Sequence, residues 1–373
     1  MSDVEEDILV SQNGNDYGGW KEVSVTRSIE SIANTFNLSL TEKWAGQVQR
    51  RPMSGGDACT VKIGDETVIT GFLDEHEPAI DDQSHEVRAS GRDATGDLVD
   101  CSAVNSPGEW RSRNALQLVS VLCAPFGIPV TAKADLGKSF ASFKLQEGET
   151  TFQAIDRICK ARALLPVSDG LGGLILMRSG TSAQRVDAPL VLGANIKRIG
   201  TRFSMIERFS QITVKGQQTQ SDGLTPDQAA GPSATAKDPS VKRYRPLVIV
   251  ADDEGDGVTL NDRALWEVSV RAGRARSADV TVWGWRNRTG ALWLPNTIVP
   301  VHAAELDVDG EMLITTVCHT QNDQGRLTML RLSPPQAFDL IALEEKETTS
   351  GDAGDALTGT PKYVGAELVK ESQ

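Results

Sequence analysis

The sequence predicts a mainly β fold with α+β insertions, on three observations. Apolar residues alternate with period two in two separate stretches, one in the first hundred residues and one from about 191 to 343. Between them, from about 105, the period lengthens to that of helices. Finally, 373 residues with 39% apolar and 24% charged side chains are enough to bury cores in two to four domains.

The first stretch, residues 1–102, reads as a small antiparallel barrel or sandwich. Val23, Val25 and Arg27 alternate, as do Phe36, Leu38 and Leu40, then Val61 and Ile63, then 68–73. Turn-forming residues at 54–57 and 64–65 separate these runs. Residues 103–190 form an α/β insert. There Ala115, Leu118, Val119, Leu122 and Cys123 make one helix face, and a second helix after Thr150 or Thr151 buries Phe152, Ile155, Ile158 and Cys159. Strands at 164–167 and 174–178 flank a Gly-rich hairpin loop at 169–173.

Residues 191–343 read as a second β domain with a loop and helix insertion at about 216–277. Its polar stretch 216–240 has the composition of a mobile surface loop. A strand at 247–251, an acidic loop at 252–257 and a helix at 261–276 follow. Strands are expected at 279–285, 292–302, 311–319 and 326–332, and a flexible tail at 344–373.

Charge is uneven. Residues 1–100 hold 8 Lys+Arg and 20 Asp+Glu, net −12, whereas residues 101–340 hold 27 and 24, net +3. An acidic first third repels a phosphate backbone rather than gripping it, which disfavours ordinary nucleic-acid binding. In the middle, Lys197, Arg198, Arg202, Arg208, Lys242, Arg243 and Arg245, then Arg271, Arg274, Arg276, Arg286 and Arg288, supply cations. They form either a solvated basic face or a surface that meets another copy's acidic first domain. No apolar run approaches the roughly 18 residues of a membrane-spanning helix, and the acidic N-terminus is unlike a secretory signal, so a soluble chain folded in a cytoplasm is expected. The five cysteines, an odd set without a C-x-x-C pair, read as small buried apolar residues.

No motif is a catalytic signature. Gly137-Lys138-Ser139 lacks the earlier glycine of a phosphate loop, since Ala132 stands there. The run from Glu305 to Gly310 spaces its carboxylates like a calcium loop, but Thr316 occupies the twelfth position, and a D-G hairpin turn explains it better. Asp74, Glu75, His76 and Glu77 alternate between faces of a strand, which favours an exposed acidic strand end over a metal site. Cys318-His319 has no partner at nucleophile-and-base spacing. Trp283 and Trp285 share one face of an expected strand, as core or subunit contacts. The segment 145–155 resembles the start of a peptidoglycan-binding LysM module, which a helix N-cap also reproduces.

Three segments of the first half, 23–36, 68–74 and 90–102, together with the helix-then-strand segment 263–285, resemble the baseplate hub proteins of Mu-like contractile-tailed bacteriophages. The resemblance runs over roughly residues 5–340 and rests on the order and spacing of the segments. It implies a structural protein, not an enzyme, without cofactors and located in the virion tail. Two related small antiparallel β-barrel domains per chain would make a homotrimer with a pseudo-sixfold ring. That ring would join the hexameric tail tube protein to the trimeric central spike protein, contact other baseplate proteins and leave a channel for phage DNA. Such hubs are related to type VI secretion spikes. The candidate ion-pairing residues are Arg92 and Asp93, at a strand end, and Arg271, Arg274 and Arg276. A cell-wall-binding or lytic tail module acting through 145–155 is the alternative.

Overall fold

A computed structural model of the chain describes residues 7–42, 53–80, 85–216, 232–250 and 260–341. The first unit consists of β1 (Ile8–Gln12), β2 (Asn15–Tyr17), β3 (Glu22–Ser28), β4 (Thr35–Glu42), β5 (Ala58–Ile63), β6 (Glu66–Ile80) and β7 (His85–Asp93). Period-two alternation sends Val23, Val25, Phe36, Leu38, Val61 and Ile63 into one core, all 4% exposed or less. The strands run side by side in the order β2-β1-β5-β6-β7-β4-β3, every pair antiparallel.

The chain then forms α1 (Gly96–Asp100), β8 (Glu109–Arg113), α2 (Ala115–Cys123), β9 (Val130–Ala132), β10 (Phe140–Lys144), α3 (Thr151–Lys160), β11 (Leu165–Ser168) and β12 (Leu174–Met177). Both longer helices open on capping boxes, Asn114 with Gln117 and Thr150 with Gln153, so the orphan N–H groups of the first turn are satisfied locally. Leu118, Val119, Leu122, Ile155 and Ile158 interlock in a core of their own. The hairpin β11·β12 forms where the Gly-rich loop was expected, and β9 adds to it in parallel.

Then follow β13 (Gln184–Arg185), β14 (Leu190–Val191), β15 (Ile196–Phe203), β16 (Gln211–Lys215), β17 (Ser233–Lys237), β18 (Pro246–Val250), α4 (Leu260–Arg274), β19 (Arg276–Trp283), β20 (Thr297–Ala303), β21 (Val308–Asn322) and β22 (Gly325–Ser333). Part of the stretch expected to be loop, 216–240, is strand β17, which pairs with β16. Its inward residues are Ala234 and Ala236, too small to register as an apolar alternation. The rest of that loop, 217–231, the acidic loop 252–257 and the tail 344–373 lie outside the described residues. Trp283 and Trp285 do not share a face: Trp283 is 60% exposed and Trp285 1%. Gly284, at φ 73°, breaks the strand between them and turns Trp285 into the first unit's core. The cysteines also divide: Cys59, Cys123 and Cys159 are buried, Cys318 is intermediate and Cys101 is exposed at the end of α1.

The two halves share one strand order. In the first it is β5-β6-β7-β4-β3 and in the second β20-β21-β22-β19-β15. Each is organised around a 15-residue strand, β6 or β21, that slips register at its middle, between Leu73 and Glu75 or between Ile314 and Thr316. Beyond that slip β21 leaves β20 and pairs with β3 of the first unit, so both units belong to one 14-stranded sheet.

Candidate assembly surfaces

The seam between the units is a six-residue antiparallel ladder from Thr316↔Ser28 to Gln321↔Val23. Its outer side is polar. The Ser28 and Thr316 hydroxyls are 2.7 Å apart, Cys318 Sγ lies 3.3 Å from Ser24 Oγ, and the Thr26 hydroxyl donates to Cys318 Sγ at 3.2 Å. Its inner side is sealed by His319, 1% exposed, and Val317. Trp285 Nε1 donates to Thr320 O and Gln321 Nε2 to Trp20 O, tying the loops at one end of the seam. Burial, with the positive Arg27 nearby, holds the His319 imidazole down at about 4, so it is neutral at pH 7.

A buried polar cluster fastens the insert to the first unit. Asp93, 1% exposed, accepts from Asn34 N at 3.0 Å and from the Thr95 hydroxyl at 2.5 Å, and is also hydrogen-bonded by Ser168 of β11. Burial raises its carboxyl above the ordinary range, and the Ser168, Thr95 and Asn34 bonds pull it back. Arg27 Nη2 donates to Asp169 O at 2.9 Å, and Thr70 N donates to Gly170 O at 2.7 Å. Burial disfavours the Arg27 charge; Asp93 and Asp169 favour it. Gly170 has φ 78°, and a Cβ there would meet Val68 O at 2.5 Å, so the tip of this hairpin must be glycine to seat on β6. Arg27, Asn34, Thr95 and Ser168 are far apart in sequence and share no spacing that could have marked them.

Arg92 and Asp93 are not partners of each other, because neighbours on a strand point to opposite faces. Arg92 instead bridges Asp74 on β6, at 2.8 Å, and Asp100 on α1, at 2.7 Å, and these two carboxylates hold the guanidinium firmly protonated. Arg271 pairs with Glu267 one helical turn earlier at 3.0 Å. Arg274 Nε donates to Ala337 O at 3.4 Å, and the Arg276 guanidinium lies 5.2 Å from the centre of the Phe203 ring. These five residues are therefore spread over three places in the fold.

Two surfaces of opposite sign remain. One is a groove of about 500 Å³ beside the seam, lined by Glu22, Ser24, Asn37, Glu75, Glu77 and Arg88 of the first unit and by Thr320, Gln321 and Asn322 of β21. The other is β15, whose exposed Lys197, Arg198 and Arg202 line one edge of the sheet. Within the segment 145–155, Glu149 is 8% exposed and Arg157 donates to it at 2.9 and 3.1 Å, while Thr150 caps α3; both residues have structural work. In the run 305–310 the hairpin turn is made by 304–307, with Asp307 left-handed, while Asp309 and Gly310 lie inside β21, so the expected D-G turn is displaced. Among the described residues no three His, Cys, Asp or Glu side chains are grouped to hold a metal ion, and no helix is long and apolar enough to cross a membrane.

This architecture, a largely antiparallel sheet of two like-ordered units around an α/β insert, is shared with phage tail proteins. Family models match in sequence along the chain: "Mu phage baseplate assembly protein GpP-like, N-terminal" over 7–93 and "Baseplate hub protein gp44-like, second domain" over 95–178. "Tail protein NMB1110-like, third domain" matches 208–265, and "Mu phage baseplate assembly protein GpP, fourth domain" matches 258–341. The baseplate hub protein gp44 of Escherichia phage Mu is 32% identical over 361 residues, 94% of each chain. The 43 kDa tail protein of prophage MuSo2 from Shewanella oneidensis is similar in structure, with TM-score 0.80 and 35% identity over 90% of this chain and 100% of its own. The tail protein from Neisseria meningitidis MC58 gives 0.75 and 25%, over 89% and 98%. The chain belongs to the baseplate hub protein family of Mu-like phages.

Proposed function

We propose that the chain works as a homotrimeric hub ring, in which three copies of two like units give pseudo-sixfold symmetry between a hexameric tail tube and a trimeric central spike. The observation that carries this reading is the repeated strand order within one continuous sheet: a chain that contributes two equivalent wedges can present six to the tube and three to the spike. On this reading the role is structural rather than catalytic, the site is the virion baseplate, assembly precedes release from the host cytoplasm, and other baseplate proteins dock on the outer insertions. The functional units follow the division at 102, 190 and 343.

The channel for DNA follows from charge. A net charge of −12 over residues 1–100, with Glu22, Glu75 and Glu77 on one open groove, suits a wall past which a polyanion slides without sticking. Arg92 serves as an internal brace; Arg271, Arg274 and Arg276 support the face of the second unit. Light scattering and negative-stain micrographs of the purified chain at micromolar concentration test the reading. A ring three chains in mass is expected, and a stable monomer overturns it.

A further inference from the structure

We propose that the outer face of β19 and β22, built on Trp283, Leu327 and Met329, is the docking surface for the ring's threefold partner, the trimeric spike, and is what the sixfold tube cannot use. The proposal rests on the ring reading above and names the surface that reading requires.

The two units can be matched residue by residue. Just past the register slips of β6 and β21, Glu75 lies opposite Ser90 and Thr316 opposite Arg331, so Ser90 corresponds to Arg331 and Arg88 to Met329. Arg88 lies opposite Ser39 and Met329 opposite Thr281, which makes Thr41 the counterpart of Trp283. Thr41 lies opposite Glu86, and Trp283 opposite Leu327. Ser39 also lies opposite Glu22, and Thr281 opposite Arg198. One place in the repeat therefore carries Glu22, Thr41, Glu86 and Arg88 in the first unit and Arg198, Trp283, Leu327 and Met329 in the second.

The two versions of this place have opposite chemistry. In the first unit Arg88 Nε donates to Glu86 at 2.8 Å, so the charges there answer each other. In the second, Trp283 and Met329 are 60% and 46% exposed, while Leu327, directly across from the indole, is 7% exposed. Val280, Val282, Leu330 and Leu332 point the other way, into the core. Trp283 and Met329 are diagonal neighbours on adjoining strands, within reach of each other. Lys197 Nζ lies 4.1 Å from the centre of the Trp283 ring and 3.4 Å from Gln324 Oε1, which holds the indole in place. A positioned, exposed tryptophan beside a methionine and cations has the composition of a binding hot spot.

Symmetry selects the occupant. A sixfold partner meets both units alike and gains nothing from a surface that one unit lacks; a threefold partner meets one such surface per chain. The same face continues from Leu327 through Thr320 and Ser24 into the acidic groove. Lys197 and Arg198 beside the indole favour a partner whose apolar side chains are flanked by carboxylates.

Copying the first unit's residues into the second tests this in the full chain. Trp283→Thr with Met329→Arg leaves the circular dichroism and the three-chain mass unchanged, weakens capture of the purified spike protein of the same virion about tenfold or more, and leaves addition of its tube protein unaltered. Independently, Trp283→benzoylphenylalanine in assembled tails photo-cross-links to the spike chain, identified by mass spectrometry of the adduct. Undiminished spike capture, an equal loss of tube addition, or an adduct with the tube or a second hub copy overturns the assignment and leaves the ring reading standing. A wild-type chain that stays monomeric, or a wild-type ring that takes up no spike, overturns both.

Discussion

The two units solve one packing problem with opposite choices. At the crossing of β4 with β7 the first unit places Phe36 opposite Gly91, while the equivalent pair in the second unit is Ala278 opposite Leu332. All three side chains are fully or almost fully buried, at 0%, 1% and 0% exposed. Volume moved from one strand to its neighbour, and the sheet kept its order. A strand repeat can thus persist with little sequence likeness, because the backbone ladder sets the topology while side chains need only fill the same space.

Breaking that compensation gives the largest effects. Phe36→Ala opens a cavity above Gly91 and is expected to cost about 3–5 kcal/mol. Gly91→Leu alone drives a Cβ to 2.1 Å from Phe72 O and 2.6 Å from Phe36 Cζ, and is expected to cost about 3 kcal/mol or more. Phe36→Ala with Gly91→Leu, which copies the second unit, should recover part of the loss. Chemical denaturation of the single and double variants measures the coupling. Strict additivity would show that the two pairs are not interchangeable solutions.

The seam sharpens the comparison through pH. Counted from the two register slips, His319 on β21 corresponds to Pro78 on β6, so of these two strands β21 alone carries a titratable ring at this position. Its folded pKa of about 4 lies below the ordinary 6.5, so the unfolded chain takes up the proton first. The stabilisation is complete above about pH 6.5 and is lost as pH falls towards 4, amounting to about 3 kcal/mol. His319→Asn should flatten the stability profile in this window. A profile unchanged by that substitution would refute the assignment to His319.

The insert touches both units, packing Val167 against Ile298 and Leu313 of the second, but its buried polar anchor lies on the first, at Asp93. Asp93→Ala leaves Arg27 buried beside one fewer carboxylate and strands the Asn34 amide, and is expected to cost about 2–4 kcal/mol. Asp93→Asn keeps an acceptor and should cost less. Hydrogen exchange at Asn34 and Thr70, whose amides bond to Asp93 and Gly170, reports whether the insert has loosened.

Much of this was legible in the sequence where a local rule operates. Period-two runs located most strands of the first unit, the 3.6-residue period located α2 and α3, and of the two threonines that could cap α3 it is Thr150 that does. The signal failed where structure depends on distant partners. β17 is a strand because β16 lies beside it, and its alanines carry no pattern. Trp285 is buried because Gly284 turns the chain, which alternation cannot foresee. The adjacent Arg92 and Asp93 stood out as ion-pair candidates, but their partners, Asp74, Asp100, Asn34 and Thr95, are supplied by the tertiary fold.

The smallest expected effect is at Arg92, and it separates two uses of one side chain. Its guanidinium bridges Asp74 and Asp100 with about a third of the side chain exposed, a setting in which solvent screening leaves ion pairs worth about 1 kcal/mol or less. Its stem and guanidinium also cover Gly96, where a Cβ would approach Arg92 atoms at 3.2–3.3 Å. Arg92→Met keeps most of the cover and loses the charge; Arg92→Ala loses both. If the bridge dominates, the two variants lose similar stability, and the loss shrinks in high salt. If the cover dominates, Met retains most of the stability and salt has no influence. The second unit carries the buried Ser333 at the equivalent position, followed only by the short 3-10 helix Pro335–Phe338, so Ser333→Ala should change stability without any dependence on salt.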